Sequence, residues 1–289
     1  MYGKPLTPER RDNPSPFVSV IVPTLNSGRT LERCIASICT QSYVSTEIIV
    51  VDGGSSDNSV EISKRMGCQV YERKGMGMAE ATDFGLSVAK GKYVYRVDSD
   101  VVLDQRIIED AVARAEGSRC DAVSILWLPD DSISFWARVR RLEKECYIGD
   151  FAHSGIRFIR KDVAQSIGGW NRTITAGEDY DFYNRFRDAD YVACAIDSHE
   201  THLGEPLSII DAMKKQYKYG KTLRRFLTVN REHGIIQMNP FRLSLARNWR
   251  RFIRNPGLTC GFIFYTTMVY LAAVIGLATE SIHVTRRNG

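Results

Sequence analysis

Several absences narrow what this chain can be. Its 289 residues hold an odd number of cysteines, scattered at Cys34, Cys39, Cys68, Cys120, Cys146, Cys194 and Cys260 with no Cys-x-x-Cys pair. That pattern argues against both a disulfide framework and a zinc cage, and implies a reducing, cytoplasmic setting for the folded domain. No apolar run opens the chain: residues 1–16 are polar and rich in proline, so no signal peptide is expected and the segment reads as a loose N-terminal arm. There is no internal repeat and no low-complexity tract. Acidic residues nearly vanish from residues 214–255, where about a dozen lysines and arginines face Glu232 alone. The net charge of +5 therefore belongs to one end. Nucleic acid is one explanation for such a stretch, but residues 257–279 behind it carry no charge and approach the length of a membrane span. A membrane is the expected partner, and nucleic acid is not.

What is present suits a folded α/β domain. With 44% hydrophobic and 25% charged residues, the chain can bury a full-sized core. Residues 17–23 (FVSVIVP) form a continuous apolar strand, and Leu31, Cys34, Ile35 and Ile38 recur at helical spacing in residues 30–39. Residues 47–52 (EIIVVD) make a second strand, after which Ser56 or Asp57 offers a cap to a helix starting near Ser59. Val70 and Tyr71 belong to a third strand, residues 77–89 to a helix and residues 93–98 (YVYRVD) to a fourth strand. This alternation predicts a sheet with crossover helices. Beyond Asp121 the pattern predicts a strand over 122–127, an amphipathic helix over 133–147 and helices over 178–188 and 206–226. One further helix, over 241–254, is apolar on one side and cationic on the other, a form that suits a lipid headgroup layer.

Acids stand at strand ends: Asp52 after EIIVV, then Asp98 and Asp100 after YVYRV. In open α/β sheets ligands bind beyond the carboxyl ends of the strands, so these acids should converge on one site. Carboxylates two residues apart can hold a divalent cation, and that cation can bridge a nucleotide diphosphate and stabilise its departure. Gly75-Met76-Gly77 before a helix raises the alternative of a nicotinamide-dependent dehydrogenase. Against it, Glu80 replaces the third glycine and would repel a pyrophosphate, and the motif follows the third strand rather than the first.

FVSVIVPTLN, EIIVVDGGSSDNS, GMAEATDFGLSVAKGKYVYRVDSD, and GGWN followed by AGEDYDFYNRF stand in order over residues 18–188. Together they resemble family 2 glycosyltransferases with a GT-A fold. The resemblance implies that Pro23, Thr24 and Asn26 line a nucleotide pocket and that Asp52 accepts hydrogen bonds from base or ribose. It implies that Asp98 and Asp100 manage ribose, diphosphate and a magnesium or manganese ion. Glu178-Asp179 matches the family's acidic pair before a helix, with Asp179 as general base for the acceptor hydroxyl and Asp181 as fallback; the alternative is that both acids complement the helix dipole. His202 stands where a histidine completes the metal shell or touches the diphosphate, with His199 competing; imidazole suits manganese better than magnesium. His153 is expected to be structural. One departure is Ala81-Thr82-Asp83 in place of the family's Ala-Arg-Asn, for which Arg73, Lys74 or Arg96 would have to substitute.

The expectation is therefore an inverting hexosyl- or N-acetylhexosaminyltransferase using a UDP- or GDP-linked donor and a lipid-linked or membrane-surface acceptor such as a polyprenyl phosphate. A catalytically decayed, membrane-anchored sugar-binding protein is the non-enzymatic alternative, disfavoured because both acidic motifs are retained. The expected organisation is an arm over residues 1–16, a GT-A domain over 17–203, basic amphipathic helices at the membrane interface over 204–255 and a transmembrane helix over 256–280. Arg247, Arg250, Arg251 and Arg254 outweigh Arg286 and Arg287, placing the enzyme at the cell membrane with its catalytic domain on the cytoplasmic side.

Overall fold

The computed structural model describes residues 15–204 and 206–287, so the expected N-terminal arm lies almost wholly outside the described residues. The elements are β1 (Val18–Thr24), α1 (Leu31–Cys39), β2 (Thr46–Asp52), α2 (Ser59–Arg65), β3 (Gln69–Glu72), α3 (Met78–Val88), β4 (Tyr93–Arg96), β5 (Val101–Leu103) and α4 (Ile107–Gly117). There follow β6 (Ala122–Ser124), β7 (Trp127–Pro129), α5 (Phe135–Lys144), α6 (Phe151–Ser154), β8 (Phe158–Arg160), α7 (Lys161–Ser166), α8 (Glu178–Asp188), β9 (Ala193–Ala195) and β10 (Glu200–His202). The C-terminal part is helical: α9 (Ile209–Val229), α10 (Arg231–Gln237), α11 (Leu243–Arg247), α12 (Trp249–Arg254) and α13 (Pro256–Arg287).

The main sheet has the order β3-β2-β1-β4-β8-β6-β9. Its first four strands are parallel, β8 runs antiparallel to β4 and β6, and β9 returns parallel to β6. Because side chains alternate across a strand and helices cover both faces, the strands read as continuous apolar runs while feeding two cores. Val18, Val20, Val22, Tyr93, Tyr95 and Phe158 pack on the side of α1 and α4. Ile21, Ile49, Val51, Val94 and Ile159 pack on the other side with Trp170 and Phe182, whose rings stack 4.3 Å apart.

A smaller sheet, β5-β10-β7, stands beyond the carboxyl end of β4. The Asp98-Ser99-Asp100 triplet is the turn that carries the chain from one sheet to the other, and the antiparallel register of β10 with β5 sets His202 opposite Val101. This arrangement corrects two sequence expectations. The fourth strand ends at Arg96, before the acids, and the expected strand over 122–127 divides into β6 and β7, which join different sheets. An unbroken run of β-formers carries no mark of a change of sheet.

The helix expected over 241–254 is also two, separated at Asn248, whose side-chain amide donates to the carbonyls of Cys146 and Ser244. A third apolar cluster, centred on Val139, Ala212, Tyr265 and Val269, ties α5, α9 and α13 together. At the α9–α13 crossing Gly220 faces the backbone of Ala273, and Gly276 faces that of Tyr217, leaving no space for a side chain at either glycine. The C-terminal helices are thus packed onto the α/β body. The cysteine reading is corrected as well: Cys120 and Cys194 are joined in a disulfide, their Cα atoms 5.9 Å apart, although 74 residues separate them in sequence. The pairing of β6 with β9 brings them together, a proximity that spacing in the sequence does not reveal. Cys34, Cys39, Cys68, Cys146 and Cys260 are free.

Candidate active site

A cavity of about 890 Å³ opens at the carboxyl ends of the parallel strands, where the two sheets meet. Pro23, Thr24, Asn26, Asp98, Asp100, Glu178, Asp179 and His202 all line it. Asn26, in the left-handed region at φ 51°, clasps the loops after β1 and β2 by accepting the Ser56 N–H at 2.9 Å and donating its own N–H to Ser55 Oγ at 2.8 Å. Asp52 is not among the lining residues. Its carboxylate is turned into its own loop, accepting the N–H groups of Gly54 and Ser55 and the Ser55 hydroxyl.

Two buried arginines organise the acids. Arg96, on β4, pairs with Asp179 and lies 3.2 Å from Asp98 and 3.5 Å from Glu178. Arg157, just before β8, lies 2.9 Å from Asp98 and 3.5 Å from the fully buried Glu200, which also accepts the Tyr95 hydroxyl at 2.7 Å. Burial alone would raise the Asp98 carboxyl, but Arg157 and Arg96 outweigh it and hold the group well below the usual carboxylate range. Glu178 goes the other way: burial first, then the charge of Asp179, push it up to about 7 against the pull of Arg96. Burial likewise raises Glu200 to about 7, opposed by Arg157.

Glu178 and Asp179 open α8 after Gly177, whose φ of 86° favours glycine and whose Cα faces the Phe226 ring too closely for a Cβ. That turn aims both acids at Arg96. Asp181, the fallback base, is 1% exposed and bound to Arg185 and Asn230, which gives it a structural role away from the cavity.

His202 Nε2 lies 3.5 Å from Asp100 Oδ1, and its Nδ1 accepts the Gly204 N–H at 3.1 Å. In a neutral imidazole this bond places the proton on Nε2, so the ring presents a donor to the cavity. His199 instead faces Asp104, 3.0 Å away. Among the described residues, no three His, Cys, Asp or Glu side chains are grouped as a metal site. With Asp98 held by two arginines, Asp100 is the carboxylate of the triplet available to a cation.

The departure at Ala81-Thr82-Asp83 has a local reason. Asp83 faces Arg172, accepting at 2.6 and 2.8 Å, and takes the Trp170 N–H. Of the three substitute cations only Arg96 lines the cavity, while Arg73 lies over the Phe84 ring. At the dehydrogenase-like glycines, Glu80 accepts the Gly77 N–H at 3.0 Å and so occupies the helix end where a phosphate would sit.

The far wall escaped sequence reasoning: Trp127 and Lys144, Lys215 and Tyr219 of α9, and Tyr265 of α13 all line the cavity. The Lys144 ammonium sits 3.8 Å from the centre of the Trp127 ring, which packs against His202 at 4.9 Å. Arg157 did carry a signal, a charge set between the apolar Ile156 and Phe158.

Comparison with known proteins identifies the family and the fold. The chain is similar to the glycosyltransferase GlyG of Streptococcus pneumoniae, 40% identical over 116 residues that cover 38% of each protein. To the glycosyltransferase AglE of Haloferax volcanii it is 26% identical over 226 residues, covering 71% of this chain and 72% of AglE. Among solved structures it is similar in fold to the mannosyltransferase PcManGT of Pyrobaculum calidifontis in complex with GDP-Man and Mn2+, with a TM-score of 0.58 and 18% identity, over 94% of this chain and 74% of that one. The fold is of the GT-A type. Residues 19–169 match the family model for glycosyl transferase family 2, and the chain belongs to that family.

Proposed function

We propose that this protein is an inverting glycosyltransferase that moves a hexosyl or N-acetylhexosaminyl group from a UDP- or GDP-linked donor to an acceptor at the membrane surface. The observation that carries this reading is the convergence of Asp98, Asp100, Asp179 and His202, from three separate segments, on one cavity at the strand ends. The nucleotide lies against Pro23, Thr24 and Asn26; Asp52 shapes that wall through its loop. Asp179 removes the acceptor proton as the new bond forms, since a hydroxyl oxygen is a weak nucleophile until relieved of its proton. The diphosphate leaves on the opposite face in a single displacement, stabilised by the His202 Nε2–H. Asp100 would hold a divalent cation, magnesium or manganese, whose charge would stabilise the departing diphosphate; the Mn2+ bound with GDP-Man in PcManGT supports the use of such a cation. The acceptor enters past α9 and α13, whose Lys215, Tyr219 and Tyr265 form the far wall. The cytoplasmic side of the cell membrane is the proposed location, because nucleotide sugars are available there.

Asp100→Ala is expected to abolish the cation-dependent part of donor binding and all transfer while leaving the unfolding midpoint unchanged. Titration calorimetry with the donor, with and without manganese, measures it. Donor binding and turnover that are indifferent to both EDTA and the substitution would remove the cation from the mechanism.

A further inference from the structure

Residues 256–279 of α13 form an uncharged stretch whose most apolar 18 residues have a mean hydropathy of 1.9. By length alone, at 1.5 Å of rise per residue, it can cross a bilayer. Its packing argues otherwise. Along the inner side, Gly261 meets Phe135 and Val139 of α5, and the Trp136 ring stands 6.1 Å from that of Tyr265. Further along, Gly276 rests on the Tyr217 backbone of α9, and the Tyr217 hydroxyl lies 3.5 Å from Thr279 Oγ1. So α5 and α9 cover one side of the apolar stretch from Gly261 to Thr279. They carry the exposed charges Arg138, Lys214, Lys218 and Lys221, which a spanning α13 would draw down to the depth of the hydrocarbon, where unpaired charge is costly.

The outer side is different. Ile263, Phe264, Leu271, Val274 and Ile275 are about half exposed or more, and no position on that face from Cys260 to Ala278 is charged. It forms a single apolar strip about 27 Å long. The preceding α12 exposes Trp249 and Ile253 together with Arg250 and Arg254 at helical spacing, so apolar and cationic side chains share one face. An apolar strip beside surplus lysine and arginine complements a surface that offers anionic headgroups above hydrocarbon. A second copy of this basic chain would set like charges against each other.

We propose that α13 lies in the plane of the membrane with its outer strip in lipid, held by the cationic helices against anionic headgroups, and that it does not cross the bilayer. The inner side of the same helix supplies Tyr265 to the cavity. The reaction site therefore stands about one helix diameter, ~10 Å, from the lipid, within reach of an acceptor that remains anchored there. This attachment does not depend on the glycosyltransferase chemistry.

Spin labels at Ile263→Cys, Leu271→Cys and Val274→Cys, each in full-length protein with Cys39 and Cys260 changed to serine, report depth in vesicles of phosphatidylcholine and phosphatidylglycerol. Equal, shallow depths at all three positions are expected, with binding at least tenfold weaker when phosphatidylglycerol is omitted or salt is raised. A spanning helix would instead separate labels 263 and 274 by about 16 Å, which would overturn the proposal. So would labels immobilised without lipid in a protein that sediments as a dimer. The double variant Ile263→Glu/Val274→Glu should release the protein from vesicles while unfolding at the wild-type denaturant midpoint and hydrolysing soluble donor at the wild-type rate. Retained vesicle binding by a folded double variant would refute the strip as the contact, whereas lost binding without donor hydrolysis in either form would count only against the transferase reading.

Discussion

Asp179→Asn is expected to lower turnover about 100-fold or more while leaving donor affinity nearly unchanged, the scale and signature of losing a general base. The substitution keeps the shape and removes the ability to take a proton. Donor affinity should survive because the proposed nucleotide wall, Pro23, Thr24 and Asn26, stands on the other side of the cavity mouth, on β1 and its following loop. The neighbouring acid sharpens the test. Glu178 is buried, is pushed up to about 7 by burial and by Asp179, and shares the guanidinium of Arg96. Glu178→Gln should therefore reduce turnover much less. If Glu178→Gln shows the large loss and Asp179→Asn does not, the roles are reversed; if Asp179→Asn abolishes donor binding, its carboxylate serves the donor rather than the acceptor. Pre-steady-state turnover of the bound donor, measured beside equilibrium binding, separates these outcomes.

The second large effect is on stability. Arg157→Met is expected to destabilise the fold by about 3–5 kcal/mol, because it removes the cation between Asp98 and Glu200, leaving the buried Glu200 without its close counter-charge and Asp98 with Arg96 alone. Methionine has similar length and flexibility, so the lost packing is small beside the electrostatic change. Adding Glu200→Gln should recover part of the loss, since a neutral amide keeps a polar partner for the Tyr95 hydroxyl without an unpaired charge. Denaturant unfolding of the single and double variants checks this. A loss under about 1 kcal/mol for Arg157→Met, in the range of exposed ion pairs, would show that the network is solvated and not structural.

Some of this is legible in the sequence alone. The strands β1 and β2, the helix α8 and the acidic strand ends follow from apolar runs and from charged residues that interrupt them, because burial on both faces leaves a parallel strand little freedom in composition. Asp98, Asp100, Glu178, Asp179 and His202 line one cavity, and Asp52, expected beside them, does not. Less legible was what each acid faces. Asp52 stands at a strand end like Asp98, yet it closes its own loop, and Asp181 lies two residues from Asp179, yet it faces Asn230. On a helix two residues apart means nearly opposite faces, so one acid reaches the cavity and the other the interior. The Cys120–Cys194 bridge, the strand that changes sheets after Ser124 and the far wall from α9 and α13 all rest on contacts between segments distant in sequence. Local periodicity is silent on such pairings. The basic and apolar character of the C-terminal part is readable in the sequence, but only the α9–α13 packing shows that it encloses the cavity.

The most direct measurement is donor turnover by the purified full-length protein with a panel of UDP- and GDP-sugars, with and without manganese or magnesium, in the presence of anionic vesicles carrying a polyprenyl phosphate. Cation-dependent release of nucleoside diphosphate from a single class of donor is expected, accelerated by the lipid acceptor and abolished in Asp100→Ala and Asp179→Asn. Tight binding of a donor with no release under any of these conditions, and no difference between wild type and the Asp179 variant, would mean that the cavity holds a nucleotide sugar without transferring it.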